Sequence, residues 1–237
     1  MLPVYYDFHI HTALSPCAND DVTPNDIVGM ALLNELDMIA VTDHNSLANA
    51  APVIKAAHGK DLIVLPGIEV STAEEVHVVC LFEDLDSARN FEAELATFFS
   101  AMLNRVKIFG NQILFDEKDR IIGEIERMLI APLSISFDDL YHMVHKHGGA
   151  FIPAHIDRDS FSVISNLGFL PPHLEINTVE ISQAGVEKGF AKQNADKFAQ
   201  NKIIISSDAH QLWSINEKEH CLMLPERTAK AAIDFLR

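Results

Sequence analysis

The sequence predicts an α/β fold, on three observations. Short apolar runs alternate along the chain with helical patterns, the order of elements that builds a sheet covered by helices. Each run is apolar at consecutive positions rather than alternate ones, which suits strands buried on both faces. With 237 residues and 48% hydrophobic content, the chain is long enough to close one large core, so a single domain is expected over residues 1–237.

The first strand is expected over Val4–His9, followed by a polar loop from Thr12 to Thr23. Thr23-Pro24 then opens a helix through Asn34, because threonine suits the cap and proline, lacking an amide hydrogen, loses nothing at the first helical position. Ile27, Met30, Ala31 and Leu33 fall on one face of it. The pattern continues with strand Asp37–Thr42, helix Ala48–His58, strand Leu62–Pro66 and a further apolar strand Val76–Phe82. From about 86 to 123 the rhythm breaks. A helical stretch with Phe91, Leu95, Phe98 and Phe99 precedes Gln112–Gly123, which reads as two short strands around a polar turn. This segment is expected to be an insertion beside the main fold, shaping the substrate mouth. Beyond it come helix Ser136–His147, strand Ala150–Ala154, strand Thr178–Ile181, helix Gly189–Gln200, strand Lys202–Ser206, strand Cys221–Leu224 and a last helix from Glu226.

Composition narrows the partners. The net charge of -16 argues against a broad basic surface, so no duplex nucleic acid is expected. No apolar run approaches the roughly 20 residues of a membrane helix, and the apolar start of the chain is short and lacks a basic leader. No membrane association and a cytoplasmic location are therefore expected. Cys17, Cys80 and Cys221 lack paired spacing, which fits a reduced compartment better than a disulfide framework.

Polar residues able to bind metals recur where apolar strands end: Asp7-Phe-His9-Ile-His11, Thr42-Asp43-His44, Gly67-Ile-Glu69, Val76-His77, Pro153-Ala-His155 and Ser206-Ser-Asp208-Ala-His210. In parallel α/β architectures the C-terminal strand ends surround one mouth, where groups distant in sequence converge. His9 and His11 are separated by one residue, so an extended backbone puts both imidazoles on one side, and Asp208 and His210 repeat that spacing. Glu69 can bridge two ions, and His44, His77 and His155 add nitrogen ligands suited to Zn, Mn or Fe.

These pieces, in this order, resemble the polymerase and histidinol phosphatase (PHP) superfamily of phosphoesterases, and they span most of the chain. The resemblance implies a distorted (β/α)7 barrel, with the 86–123 insertion beside its mouth, and two or three divalent ions. It implies that His9, His11, Glu69 and Asp208 hold one ion, that His44 and His210 with a ligand from the first loop hold a second, and that Glu69, His77 and His155 hold a third. The first loop departs from the family pattern. Many members carry Ser-Asp-Gly there, with the Asp a ligand, whereas here Ser15 is followed by Pro16 and Cys17. Some relatives use a His at the position of Cys17, so a thiolate ligand is one alternative, with Asp20 or Asp21 as the other.

The expected chemistry is metal-dependent hydrolysis of phosphate esters, in which clustered ions generate hydroxide near neutral pH and neutralise phosphate oxygens. Asp7 and Asp43, each beside ligand histidines, are assigned to orient imidazoles or transfer protons. Arg158, soon after His155, is the best-placed cation for a substrate phosphate; Arg105, Lys107 and Arg120 are weaker candidates. A small phosphorylated metabolite or nucleotide is the leading substrate class. Phosphodiester cleavage of short oligonucleotides is an alternative, and a non-catalytic metal-binding module is an alternative of another class.

Overall fold

Runs of Val, Ile and Leu become strands because their branched side chains fit a pleated surface buried on both sides. The computed structural model describes residues 1–237. Its strands are β1 (Leu2–Ile10), β2 (Met38–Val41), β3 (Ile63–Ser71), β4 (His77–Leu81), β5 (Ile113–Phe115), β6 (Ile121–Glu124), β7 (Ala150–Pro153), β8 (Thr178–Ile181), β9 (Lys202–Ile205) and β10 (Cys221–Leu224). The α-helices are α1 (Pro24–Leu33), α2 (Ala50–Ala56), α3 (Leu85–Leu95), α4 (Val106–Phe109), α5 (Phe137–Lys146), α6 (Val163–Leu167), α7 (Gln183–Glu187), α8 (Phe190–Gln193) and α9 (Ala229–Leu236). None is long and apolar enough to cross a membrane.

Six strands form one curled sheet in the order β10-β1-β2-β3-β4-β7, and β8 pairs with β9 in a separate parallel pair. The chain is thus a mixed α/β protein built on a half-barrel. The β8–β9 pair is stitched to both sides of the sheet at one end. Ile10 and Ala209 form a parallel bridge, and Ile156 N–H donates to Glu180 C=O. Residues of one strand fall into two hydrophobic clusters. Val4, Tyr6, Phe8, Met38, Ala40, Leu65, Val79 and Ile152 pack inside the curl with residues of α9. Ile39, Val41, Val78, Cys80 and Phe151 face outward against α1, α2, α3 and α5. Burial on both faces is what the unbroken apolar runs require.

Two departures from uniform alternation matter. First, β4 runs antiparallel to both β3 and β7, and β10 runs antiparallel to β1, so the sheet is not a simple succession of parallel βα units. His77 accordingly begins β4 rather than following its end, and the reversed direction of β4 is what returns that first residue to the same mouth. Second, the expected strand Leu62–Pro66 continues to Ser71, so Glu69 lies within β3 and pairs across the ladder with Val79. The expected helix Gly189–Gln200 is reduced to α8, preceded by α7. Gly189 adopts a left-handed backbone at the junction, which separates the two short helices.

The 86–123 segment contains α3, α4 and the antiparallel β5–β6 pair. It docks on the first loop. Ile113 N–H donates to Ala13 C=O, Ile113 and Phe115 pack on Ala13, and buried Asn49 donates its amide to both Thr12 Oγ1 and Ile113 C=O.

Candidate metal centre

The side chains of His9 and His11 come together as their spacing on β1 requires, with ring centroids 5.1 Å apart. Their Nε2 atoms lie 3.2 and 3.1 Å from Asp208 Oδ1. Asp208 is delivered by the turn after β9, which is fixed to β1 because His11 N–H donates to Ala209 C=O and Ala209 N–H donates to His9 C=O. Asp208 and His155 both have positive φ, 52° and 32°. Such a backbone is uncommon for residues other than glycine, and strain of this kind concentrates at functional sites.

Glu69 is the centre of the arrangement. Its Oε1 lies 2.9 Å from His77 Nδ1, 3.2 Å from His9 Nε2 and 3.3 Å from His155 Nε2. Its Oε2 lies 2.9 Å from His44 Nδ1 and 3.4 Å from His11 Nε2. Three overlapping groups have ligand atoms within 4.8 Å of one another: His9, His11, Glu69 and Asp208; His11, His44 and His210; and His44, Glu69 and His77. The first coincides with the set that the family resemblance implies. In the second His11 joins His44 and His210, and in the third His44 stands with Glu69 and His77, while His155 meets Glu69 from outside the tight group.

The first loop brings Cys17 to this cluster and leaves the two aspartates outside it. Cys17 Sγ is 3.1 Å from His210 Nε2. Asp20 instead accepts a hydrogen bond from Asn111 at the surface, and Asp21 is exposed.

Each imidazole is aimed by what its other nitrogen holds. His9 Nδ1–H donates to Glu180 Oε1 at 2.9 Å, leaving Nε2 for the cluster. His11 Nδ1–H donates to Ser15 Oγ at 2.8 Å, and Ser15 Oγ–H donates in turn to Asp43 Oδ1 at 2.8 Å. His210 Nδ1–H donates to the carbonyl of Asp208 at 2.9 Å. Glu180 and Ser15 are therefore the immediate partners of the β1 imidazoles, in place of the Asp7 and Asp43 assigned from adjacency in sequence. Asp43 acts one step further back and also accepts from Thr12 N–H and Oγ1–H. Asp7 accepts backbone N–H groups of Ser207 and Asn216, which anchors the turn carrying Asp208. Adjacency in sequence does not give the contact, because Asp7 is taken up by the backbone of the segment after β9 and Asp43 reaches His11 only through Ser15. A sequence signal for Glu180 did exist, an acidic residue in the middle of the apolar run Thr178–Ile181.

The cluster is electrostatically coupled. Burial alone would raise the Glu69 carboxyl, but His77, His9 and His44 outweigh it and hold that group well below its ordinary value. Burial lowers His9, and Glu180, Asp208 and Glu69 overcome this and raise it well above normal. His11 is driven well below normal by burial and by His210. Burial opposes ionisation of Cys17, yet hydrogen bonds from His210 and His44 bring its thiol down to about 6.

The donor set fits divalent ions. Buried His9 Nε2, His44 Nδ1 and Glu69 Oε2 lie close to one another's groups but in no hydrogen-bonding geometry, and each such atom costs about 1–3 kcal/mol unless a ligand engages it. Imidazole nitrogens mixed with carboxylates suit Zn, Mn or Fe. Because a hydrogen bond on the far nitrogen fixes a metal-binding imidazole, Glu180→Ala is expected to weaken metal binding about 10–100-fold. Chelator competition checks this, with circular dichroism as the control on folding; unchanged affinity would deny Glu180 an orienting role.

A cavity of ≈ 120 Å³ opens over Glu69, His77, His155, Asp208 and His210, with Arg158, Ser160 and Phe161 at its edge. Arg158 pairs with Asp208 Oδ2. The weaker cations are elsewhere: Arg120 is engaged by Asp116, and Arg105 and Lys107 are exposed on α4 and its start. A larger cavity of ≈ 590 Å³, between Leu170–Asn177 and Asp196–Asn201, contains none of the cluster residues.

Comparison with known proteins places this geometry. The 5′-3′ exoribonuclease Rnm of Escherichia coli (strain K12) is 34% identical over 87 residues, which is 35% of this chain and 29% of that protein. The lesion-specific endonuclease PfuEndoQ from Pyrococcus furiosus has a similar fold, with a TM-score of 0.71 at 16% identity, over 99% of this chain and 56% of that one. Endonuclease Q in complex with a 27-mer duplex substrate, an abasic lesion at its active site, gives 0.62 at 16% identity over 89% and 50% of the two chains. The chain therefore spans only part of each of these proteins.

The expectation that duplex nucleic acid lies outside the reach of such a protein is overturned, since endonuclease Q shares this fold and was captured on a duplex. Net charge misled because it averages over the whole surface, whereas a substrate is held by the local field at one mouth. The description "PHP domain" matches residues 7–169, a segment that contains Asp7-x-His9-x-His11, Thr42-Asp43-His44, Glu69, His77 and His155, while Asp208 and His210 are added beyond it by the bridge to β1. On that match, which covers more than half its length, the chain belongs to the PHP domain family.

Proposed function

We propose that this chain is a metal-dependent hydrolase of phosphate esters, acting on a small phosphorylated metabolite or nucleotide. The observation that carries the reading is that the two oxygens of Glu69 face different imidazoles, Oε1 toward His77, His9 and His155 and Oε2 toward His44 and His11. A carboxylate so placed can be shared between ions. In this reading His9, His11, Glu69 and Asp208 hold one ion, His44, His210 and Cys17 a second, and Glu69, His77 and His155 a third, each Zn, Mn or Fe. Ions held there supply an activated water and neutralise charge on the phosphate oxygens.

The chain's own groups do the rest. Glu180 and Ser15 fix the ring orientation of His9 and His11. Arg158, 42% exposed at the cavity edge, exchanges its contact with Asp208 for a phosphate oxygen of the substrate, where a guanidinium can donate two parallel hydrogen bonds. A cavity of ≈ 120 Å³ accommodates a terminal phosphate group and leaves the remainder of the ester outside.

A second reading, phosphodiester cleavage of short oligonucleotides, is favoured by the 34% identity to an exoribonuclease. One experiment addresses both. Elemental analysis of the purified protein is combined with hydrolysis of aryl phosphate monoesters and diesters after Mn or Zn reconstitution, with His9→Ala as control. Two or three equivalents of metal, and activity lost in the variant, are expected. The monoester to diester ratio separates the two readings. Absence of both metal and turnover under metal-replete conditions would overturn them together.

A further inference from the structure

Phe161 is a bulky residue with a φ of 56°, a left-handed backbone that such side chains seldom adopt. The residue is 45% exposed, and it is the one hydrophobic residue at the cavity over Glu69. The loop does not leave this placement to chance. His77 N–H donates to Phe161 C=O at 2.9 Å. Ser162 Oγ–H donates to Arg158 C=O at 2.8 Å, which closes the segment between the cation and the ring. One face of the ring stacks on His77, with centroids 4.8 Å apart and planes 22° from parallel. The residue remains substantially exposed at the cavity lining in spite of that stacking.

Strained backbone at a site is retained where it serves the site, and an exposed aromatic ring beside a cation at the lining of one phosphate-sized cavity matches one kind of ligand. That ligand carries a phosphate and a planar ring a few ångströms from it. We propose that Phe161 is a stacking platform for the base of a nucleotide, with Arg158 on the phosphate, so that the substrate class of the site is a nucleotide or an oligonucleotide terminus rather than a sugar phosphate. The inference rests on the phosphoesterase reading above for its turnover but not for its binding. Stacking tolerates any base, because every base has a π face, so recognition by this ring is for the presence of a base and not for its identity.

The test compares a nucleoside 5′-monophosphate with ribose 5-phosphate, which has the same ester and no base. The protein is loaded with metal, and the two ligands are compared by calorimetric affinity and by kcat/KM for wild type, Phe161→Ala, Phe161→Leu and Phe161→Tyr. Wild type is expected to prefer the nucleotide by about tenfold or more, the magnitude of one base stacked on an aromatic ring. Phe161→Ala and Phe161→Leu should collapse that preference, and Phe161→Tyr should keep it. Leucine preserves bulk against His77, so it separates stacking from support of that ligand. A preference unchanged in Phe161→Ala and Phe161→Leu, or no preference in wild type, would overturn the proposal. If no phosphate ester turns over at all, the hydrolytic reading fails, and the calorimetric preference still decides the role of Phe161.

Discussion

Glu69→Gln is expected to reduce kcat/KM for phosphate esters by about a thousandfold or more, the scale on which groups that organise charge in a reacting site act. Glutamine keeps the volume of the side chain and its place in β3, so the ladder with β4 is retained. It removes the charge that His77, His9 and His44 surround, and it leaves only one oxygen for what now faces imidazoles on both sides. Metal content should fall by at least one equivalent, because a neutral amide is a much poorer metal ligand than the carboxylate it replaces. Elemental analysis and steady-state kinetics read the two effects, and thermal denaturation establishes that the variant is folded. Activity within tenfold of wild type at full metal content would remove Glu69 from the centre of the mechanism.

The second large effect is expected at a residue that touches no ligand. Gly110 has a φ of 101°, and a Cβ there would lie 2.0 Å from the carbonyl oxygen of Pro16. Both the backbone conformation and the close approach require glycine. In Gly110→Ala the first loop must move, and Cys17, the next residue after Pro16, moves with it, away from the 3.1 Å contact with His210. The expected outcome is a lower Tm, by about 2–4 °C for each kcal/mol lost in a chain of this size. About 10–100-fold weaker binding of one metal equivalent should accompany it, the range for loss of a supporting contact. Cys17→Ala provides the comparison, with the metal effect and little of the thermal one. Full metal affinity in Gly110→Ala despite the lower Tm would show that the insertion braces the fold without bracing the site.

Much of this could be read from the chain because the signals were local. The expected strands Thr178–Ile181 and Cys221–Leu224 have those bounds, and α1 begins at Pro24 as the position of proline suggests, although Thr23 makes no capping hydrogen bond. The β5–β6 pair forms where a polar turn separates two short apolar runs. The residues that cluster around Glu69 were visible because polar groups interrupt apolar runs at a cost that folding alone does not explain. What was hidden depends on relations between distant elements. The direction of β4 is not encoded in its own five residues, since Val, Cys and Leu suit a parallel or an antiparallel neighbour equally. Glu180 could be seen as an anomaly in its strand, but its partner His9 lies 171 positions away. The relay from His11 through Ser15 to Asp43 depends on how a turn-rich loop folds back over β2. The breadth of possible partners was misjudged for a similar reason, because a total charge contains no information about where the charges lie relative to one mouth.

The reversal of β4 also determines how the centre is put together. Glu69 and His77 stand on one hairpin, so their meeting requires only a short turn to form. His11 and Asp208 are 197 positions apart, and bringing them together carries the chain entropy of nearly the whole fold. One half of the cluster is therefore assembled by local contacts and the other only when the last parallel pair closes against β1. An ion bound across that seam would act as a clasp. Its binding free energy would hold the β8–β9 flank to the first strand, so the flank, and not the hairpin, is where occupancy would become rigidity.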